Sequence, residues 1–312
     1  MKRIFLWLLP IVILSGINAQ NKSESEIKFI VASDMGRLGD SEQKTIAGLM
    51  ARCVDEYDID FIAVAGDPIH DNGVVSVDDE EWNVKIENIY NDPVLHSIPW
   101  YIVSGNHEYN GNVQAILDYS EVSVRWQAPA RYFSMRKHIK EGDNEKYVLF
   151  VFIDTTPLID KYRSIDDKET KYSDAGEQCM ETQLVWLDSV LVTSNDLWKI
   201  VIGHHPVYAK TNKSKSERTD MQARVGTILE KHNVDFYICG HIHNFQHINP
   251  EGSNVNYIVN SSASQSRPIH KIDEVAGVLF TNPDPGFTIF TVSEEEVRFF
   301  FVNHKGERVY DL

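Results

Sequence analysis

Five short apolar runs in this chain stop in the same way, most of them at a glycine, on a residue able to hold a metal ion. They are Phe29-Ile-Val-Ala-Ser-Asp34, Phe61-Ile-Ala-Val-Ala-Gly-Asp67, Trp100-Tyr-Ile-Val-Ser-Gly-Asn106, Ile200-Val-Ile-Gly-His204 and Phe236-Tyr-Ile-Cys-Gly-His241. Runs of this length bounded by turn residues read as buried strands, here over 29–33, 61–65, 100–104, 199–202 and 235–239, with a sixth at 147–153. Between them, apolar residues recur three and four apart. Ile46, Leu49, Met50, Cys53 and Val54, after a cap at Ser41, predict one helix. Trp82, Ile86, Ile89 and Tyr90 predict a second, Leu184, Trp186, Leu187 and Leu191 a third, and 225–230 a fourth.

Alternating strands and helices predict an α/β fold with mainly parallel pairing. In such a sheet the C-terminal strand ends share one edge, so residues far apart in sequence meet there. At Gly66, Gly105, Gly203 and Gly240 the chain has to turn away sharply where a Cβ would obstruct the site. After about residue 255 the pattern becomes strands without helices, at 256–260, 286–292 and 296–302, which predicts an antiparallel meander completing a second sheet. The polar stretch 160–181 reads as an exposed loop. No internal repeat, low-complexity tract or linker is evident, so one domain over 27–312 is the expectation.

The first nineteen residues are of another kind. Lys2 and Arg3 precede an apolar run from Ile4 to Leu14, and small and polar residues follow up to Ala19. This reads as a signal peptide over 1–19, cleaved after Ala19, with an uncleaved anchor as the alternative. The run is too short to span a bilayer and no lipid-accepting Cys follows it, so a secreted or periplasmic product without stable membrane association is expected. Removing Lys2, Arg3 and no acidic residue takes the formal charge from −16 to −18. Such a surface opposes nucleic acid and anionic membranes, and an anionic substrate must be attracted locally. Three cysteines cannot form a disulfide framework: Cys53 and Cys239 sit at core positions and Cys179 in a polar loop. No obligate protein partner is indicated.

The converging edge would hold two carboxylates, an amide and several imidazoles. Hard oxygen donors with imidazole nitrogens suit iron, zinc or manganese, and the lack of thiolates argues against a structural zinc site. Two such ions about 3.5–4 Å apart form a pair that hydrolyses phosphoesters. Capping and turn formation are the ordinary reasons for Asp and Asn at strand exits; six coincidences of that kind in one chain are not expected.

Asp34, Gly66-Asp67, Gly105-Asn106-His107-Glu108, Gly203-His204-His205 and Gly240-His241-Ile242-His243, in this order, resemble the five blocks of the calcineurin-like metallophosphoesterases. Within that superfamily the chain looks most like the small tartrate-resistant (purple) acid phosphatases. That likeness runs from Phe29 to Asp311 and includes Pro99-Trp100-Tyr101, Gly111-Asn112-Val113, Tyr119-Ser120, Arg125-Trp126 and Asp154-Thr155. The resemblance implies a four-layer α/β/β/α sandwich of two mixed sheets flanked by helices. It also implies two metal ions, Fe(III) with Fe(II), Zn or Mn. Asp34, Asp67 and His243 would hold the first, and Asp67, Asn106, His204 and His241 the second, with Asp67 bridging.

Three departures accompany the likeness. Where the purple enzymes carry a tyrosinate ligand three residues after the bridging Asp, this chain has His70, which is expected to replace it as a ligand. The first block, Asp34-Met35-Gly36, lacks the His usual elsewhere in the superfamily. The loop after His205-Pro206, where the family places another substrate-facing His, reads Arg218-Thr219-Asp220-Met221. His107, next to a ligand, is expected to donate a proton to the leaving alkoxide.

His205 and His247 are open between substrate contact and an outer layer, and Asp154 between an outer layer and a turn. His96, His138, His232, His270 and His304 read as surface or hydrogen-bonded residues, and the sequons at Asn212 and Asn260 stay open. The function expected is phosphomonoester hydrolysis of a small phosphorylated substrate. A phosphodiesterase or nucleotide pyrophosphatase at the same metals is the alternative, and a binding protein without turnover is the reading from another class.

Overall fold

A computed structural model describes residues 26–139, 145–163, 172–213, 215–269 and 275–312. The expected signal peptide and His270 lie outside the described residues. The strands are β1 (Ile27–Ala32), β2 (Phe61–Ala65), β3 (Trp100–Val103), β4 (Trp126–Gln127), β5 (Phe133–Ile139), β6 (Lys146–Phe152) and β7 (Trp198–Ile202). They continue with β8 (Phe236–Cys239), β9 (Phe245–Ile248), β10 (Asn256–Val259), β11 (Val278–Asn282), β12 (Gly286–Val292), β13 (Val297–Asn303) and β14 (Arg308–Asp311).

Among the described residues these form two seven-stranded sheets, in the orders β14-β13-β12-β1-β2-β3-β4 and β11-β9-β10-β8-β7-β6-β5. The middle of each sheet is parallel: β1, β2, β3 and β4 in the first, and β6, β7, β8 and β10 in the second. The remaining strands pair antiparallel at the flanks. Both sheets are therefore mixed, as expected.

Period-two side-chain alternation explains the layering. Along β1 and β2, Phe29, Val31, Phe61, Ala63 and Ala65 turn into an apolar layer shared with Val148, Phe150, Phe152, Ile200, Ile202, Phe236 and Ile238 of the other sheet. Their neighbours Ile30, Ala32, Ile62 and Val64 face outward against Ile46, Leu49, Met50, Cys53 and Val54 of the helix Gln43–Tyr57. On the far side Leu149, Val151, Val201 and Tyr237 meet Leu187 and Leu191 of the helix Met180–Thr193. Helix, sheet, sheet and helix make the four layers.

Some expectations need correction. The late strands do not complete a second sheet by themselves. Strands β12, β13 and β14 extend the first sheet through β1, and β10 joins the second. The reason is aromatic: Phe29 pairs with Phe290 on one side and Phe61 on the other, with ring centroids 4.9 Å apart in both cases.

Ser41 does not cap the first helix. It lies in the left-handed region, and Gln43 holds the entering loop instead, its Oε1 accepting from the N–H groups of Arg37 and Gly39 at 2.8 Å. The stretch 160–181 is not simply an exposed loop, because Tyr162 and Ala175 are buried and Ser173–Glu177 is helical. The second helical pattern is a π-turn at Asn83–Glu87, and the fourth combines a π-turn, Gln222–Gly226, with the helix Thr227–Lys231. All three cysteines are free. Asn260 is fully buried, donating to Ser33 Oγ and accepting from Thr288 Oγ1, so this sequon is structural.

Phe29, with no exposed surface, is stacked on two rings and meets Phe150 edge-on. Phe29→Ala should cost about 3–5 kcal/mol of stability. Urea denaturation checks this, and a loss below about 1 kcal/mol would mean that the inter-sheet layer collapses around the gap.

Candidate metal centre

The loops that follow the central strands keep pairing after the strands end. Asp34 N donates to Gly66 O, Met35 N to Asp67 O and Gly36 N to Pro68 O, while His70 N returns to Gly36 O. These bonds set Asp34, Asp67 and His70 side by side. The second sheet does the same, with Gly203 N donating to Ile238 O and Gly240 N to His204 O. The sheets are then tied to each other: His241 N donates to Asp34 Oδ2 at 3.0 Å, and His204 Nδ1 meets Ala65 O at 2.9 Å.

Asp67 lies at the middle of the cluster. Its Oδ2 is 3.0 Å from His204 Nε2, 3.6 Å from His70 Nε2 and 3.8 Å from His107 Nε2. On one side Asp34 Oδ1 meets His243 Nε2 at 2.9 Å, and His70 offers a nitrogen to the same group. On the other side His204 Nε2 meets His241 Nδ1 at 3.2 Å. Asn106 Oδ1 is buried without a hydrogen-bond partner. Every residue expected as a ligand is thus in or beside one buried cluster.

The local backbone is costly. Asp34, Asp67, His241 and His243 all have positive φ, between 49° and 69°, where side-chain-bearing residues cost about 1 kcal/mol or more each. Of the four glycines expected at sharp exits, only Gly66 has positive φ, at 82°. Gly105 is needed for room, since a Cβ there would lie 2.2 Å from Asp67 Oδ1.

The outer nitrogens of three imidazoles are fixed by protein oxygens: His204 Nδ1 by Ala65 O, His243 Nδ1 by Gln265 O at 2.7 Å, and His241 Nε2 by Glu217 Oε2 at 3.1 Å. Such contacts set the tautomer and aim the other nitrogen inward, an arrangement found around bound metals. His70 differs. Both of its ring nitrogens are buried without a hydrogen-bond partner, a state that costs about 1–3 kcal/mol per group unless something binds there. These orphaned atoms and the mixed oxygen and nitrogen donors fit metal ions.

The charges fit as well. Burial alone would raise both carboxyls, but His243 beside Asp34 and His204 beside Asp67 outweigh it and hold both well below the usual range. Burial lowers His204 too, yet Asp67 wins and pushes it up to about 9. His70, His205, His241 and His243 are held down chiefly by burial. Two anionic carboxylates among mostly neutral imidazoles attract cations.

His107 is the cluster histidine that solvent reaches, with 24% of its side chain exposed against 5% or less for His70, His204, His241 and His243. Its Nδ1 contacts Asp71 O, leaving Nε2 toward the crevice. His205 is held on both nitrogens by the hydroxyls of Thr155 and Tyr162, although one of its nitrogens lies within 4.8 Å of nitrogens of His204 and His241. His247 is bonded to Tyr310 and Asn256 and lies edge-on to Phe299, away from the cluster. Asp154 contacts Tyr109 and Gln183 rather than the ligands. His232, itself buried, pairs with the exposed Asp188 away from the cluster.

Sequence reasoning missed four residues. Glu108 stood in a recognised block without a role; its carboxylate accepts from Ile69 N and Gly105 N and ties the two loops together. Burial, with Asp67 adding to it, pushes it up to about 8. Glu217 is buried in a polar stretch that gave no signal. The loop residue that reaches the cluster is Lys213, five positions before the departure noted at Arg218, and its Nζ donates to His241 O. Arg267 flanks the other end of the same turn, its backbone N–H donating to His243 O at 2.7 Å.

With this geometry in hand, the family described as calcineurin-like phosphoesterase matches residues 27–245. The chain belongs to the calcineurin-like phosphoesterases. Purple acid phosphatase 4 of Arabidopsis thaliana is 32% identical over 292 residues, covering 92% of this phosphoesterase and 83% of the relative. Tartrate-resistant acid phosphatase type 5 of Mus musculus is 27% identical over 297 residues, covering 91% and 89%. Among solved structures, GAP50 of Plasmodium, an anchor in the inner membrane complex, has a TM-score of 0.77 at 21% identity, covering 92% of this chain and 88% of that one. The purple acid phosphatase PPD1 of yellow lupin (Lupinus luteus) has 0.60 at 15%, covering 92% and 53%. At these identities the two structures bear on the fold alone, and it is the fold described above.

Burial, against the smaller opposing pull of Tyr109 and Arg131, raises Asp154 from 3.8 to about 7. Between roughly pH 4 and pH 7 the folded phosphoesterase therefore keeps a proton that the unfolded chain has released, and stability falls as pH rises through that window. Asp154→Asn, which mimics the protonated form, should flatten this slope. From pH 4 to pH 8 the stability difference should move in favour of the variant by on the order of 4 kcal/mol. Parallel denaturation profiles would remove Asp154 as the cause.

Proposed function

We propose that this phosphoesterase is an exported, dinuclear-metal phosphomonoesterase of the acid-phosphatase kind, acting on small phosphorylated compounds. The observation that carries the reading is the position of Asp67, in contact with His204 on one side and close to His70 on the other. One carboxylate so placed can serve two ions at once. The first ion would be held by Asp34, Asp67, His70 and His243, and the second by Asp67, Asn106, His204 and His241. Fe(III) with Fe(II), Zn or Mn suits the donors.

When bound, the ions supply Lewis acidity at phosphorus and a water acidic enough to attack near neutral pH. The chain's own residues do the rest. Asp34 and Asp67 stay ionised because neighbouring imidazoles favour the charged form. Glu217, Gln265 and Ala65 keep His241, His243 and His204 aimed inward. His107, partly open to solvent with Nε2 toward the crevice, can hand a proton to the leaving oxygen. Export is supported by the apolar N-terminal segment after Lys2 and Arg3. Among the described residues no helix is long and apolar enough to cross a membrane.

Metal-loaded protein should hydrolyse a nitrophenyl monoester faster than the matching diester and lose that activity on chelation. His107→Ala should lower kcat about 10²–10⁴-fold on a poor leaving group while metal content stays unchanged. An apoprotein as active as the loaded one would end the reading, and an unchanged rate in the variant would end the role of His107.

Ligation by His70 instead of a tyrosinate has a spectroscopic consequence. Iron-loaded protein should lack a strong tyrosinate-to-iron band in the visible range, and His70→Tyr should gain one. Such a band in the unsubstituted protein would take His70 out of the first ligand set.

A further inference from the structure

Apart from the metal centre, one cavity brings a thiol that solvent reaches together with a carboxyl and a guanidinium. Arg131, Tyr132, Asp154, Gln178, Cys179 and Gln183 are among the residues that bound about 170 Å³ of space there. At about 30 Å³ for each water, such a space has room for a few waters or for one small amino acid. Cys179, just before the helix Met180–Thr193, is exposed, whereas Cys53 and Cys239 are buried. Its Sγ accepts from Thr182 Oγ1 at 3.0 Å and lies 3.7 Å from Glu181 Oε2.

Asp154 is the residue that points to a ligand. Its side chain is 1% exposed; Oδ2 accepts from Tyr109, while Oδ1 is buried without a hydrogen-bond partner. A buried acceptor left in that state is satisfied when a donor enters the space beside it. Arg131 stands 4.0 Å from Asp154 Oδ2. It donates to Tyr109 OH at 3.0 Å and to Asp174 Oδ2 at 2.7 Å, which engages two of the five donors of a guanidinium and leaves others for a further carboxylate. An ammonium and a carboxylate on one carbon match this pair of side chains. An ammonium alone would meet repulsion from Arg131, and a carboxylate alone would meet it from Asp154.

We propose that Cys179 is a site of reversible mixed-disulfide modification by cysteine, with Asp154 accepting from the ammonium of the added group and Arg131 donating to its carboxylate. The reagent is cystine, the disulfide of that amino acid, and the step is thiol–disulfide exchange. The sulfur of Cys179 attacks one sulfur of cystine; a new S–S bond forms as the old one breaks. One cysteine leaves as a thiolate and takes up the proton that Cys179 gives up. Cystine is reduced by as much as Cys179 is oxidised, so no other oxidant enters. The cavity adjoins the metal centre without being part of it, because Thr155, next to Asp154, accepts from the N–H groups of His204 and His205.

Mass spectrometry of the intact metal-loaded protein tests this through the rate of adduct formation with three disulfides: cystine, cystamine, which carries only ammonium groups, and dithiodipropionate, which carries only carboxylates. Each rate is divided by that of free N-acetylcysteine with the same disulfide, which removes the intrinsic reactivity of the reagent. Above pH 7, where Asp154 ionises, the normalised rate for cystine should exceed the other two about tenfold. Asp154→Asn and Arg131→Gln should each cut that preference about fivefold or more. Cys179→Ser should abolish the adduct. Metal content and melting temperature verify that each variant is folded, and the wild-type preference is informative without any variant.

Equal normalised rates for the three disulfides in wild type would overturn the site and leave the cavity to water. A preference for cystine that survives both Asp154→Asn and Arg131→Gln would overturn it as well, as would an adduct mapped by peptide digestion to Cys53 or Cys239. A normalised rate for cystamine equal to that for cystine would remove Arg131 and with it the amino acid as the matching ligand. None of these outcomes bears on phosphoester hydrolysis, which rests on other residues.

Discussion

His204 is carried by one sheet and hydrogen-bonded to the other. Its Nδ1 meets the carbonyl of Ala65, the last residue of β2, while its Nε2 faces Asp67, two residues further on. One imidazole therefore helps to fix the offset between two sheets whose shared layer is largely apolar. Hydrophobic contact is non-directional and would tolerate a slip of an ångström or more. A bidentate polar contact buried at the sheet ends does not, because displacement strands a donor and a carboxylate in a low-dielectric interior. The complementary link, His241 N to Asp34 Oδ2, runs from the next strand of the second sheet to the next strand of the first. Two such ties fix both position and angle.

The strained backbone at these strand ends follows from the same constraint. Asp34, Asp67, His241 and His243 adopt positive φ because their side chains must point back over the sheet ends toward one another. Surrounding hydrogen bonds over-determine each of them. The carbonyl of Asp34 accepts from both Ser262 Oγ and Ser264 Oγ, and Asp67 Oδ1 accepts from His107 N. A layer of large aromatic side chains beneath, with Phe29 at its centre, supplies the rigidity against which that strain is held.

What could be read from the sequence follows from which interactions are local. An apolar run ending on Asp, Asn or His, four times through a glycine, is a local pattern, and five such runs imply a shared edge as soon as parallel pairing is inferred. The convergence of these residues on one cluster was legible for that reason. The attachment of β12 to β1 was not, because it depends on Phe290 meeting Phe29 from more than two hundred residues away. Glu217, Lys213 and Arg267 were hidden as well. They lie in polar stretches without period, where a residue aimed at a buried imidazole looks the same as one facing water. Asp154 showed an intermediate case: its burial was not evident, and only its contact with Tyr109 separates it from the ligands.

Charge links the site to the whole molecule. The full chain carries a formal charge of −16, so an anion approaching from a distance is repelled on average. The field at the crevice is a different matter. Among the proposed ligands only Asp34 and Asp67 are anionic, and His70 contributes a neutral donor where a tyrosinate would add a further negative charge. Two ions of charge +2 or +3 would leave the centre net positive, and Lys213 and Arg267 raise that further at its rim. Because salt screens distant surface charge over about 8–10 Å while a partly buried charge nearby is screened much less, the near field decides capture. An acidic surface and a small anion are then compatible, because an anion that enters the crevice meets the near field rather than the average one.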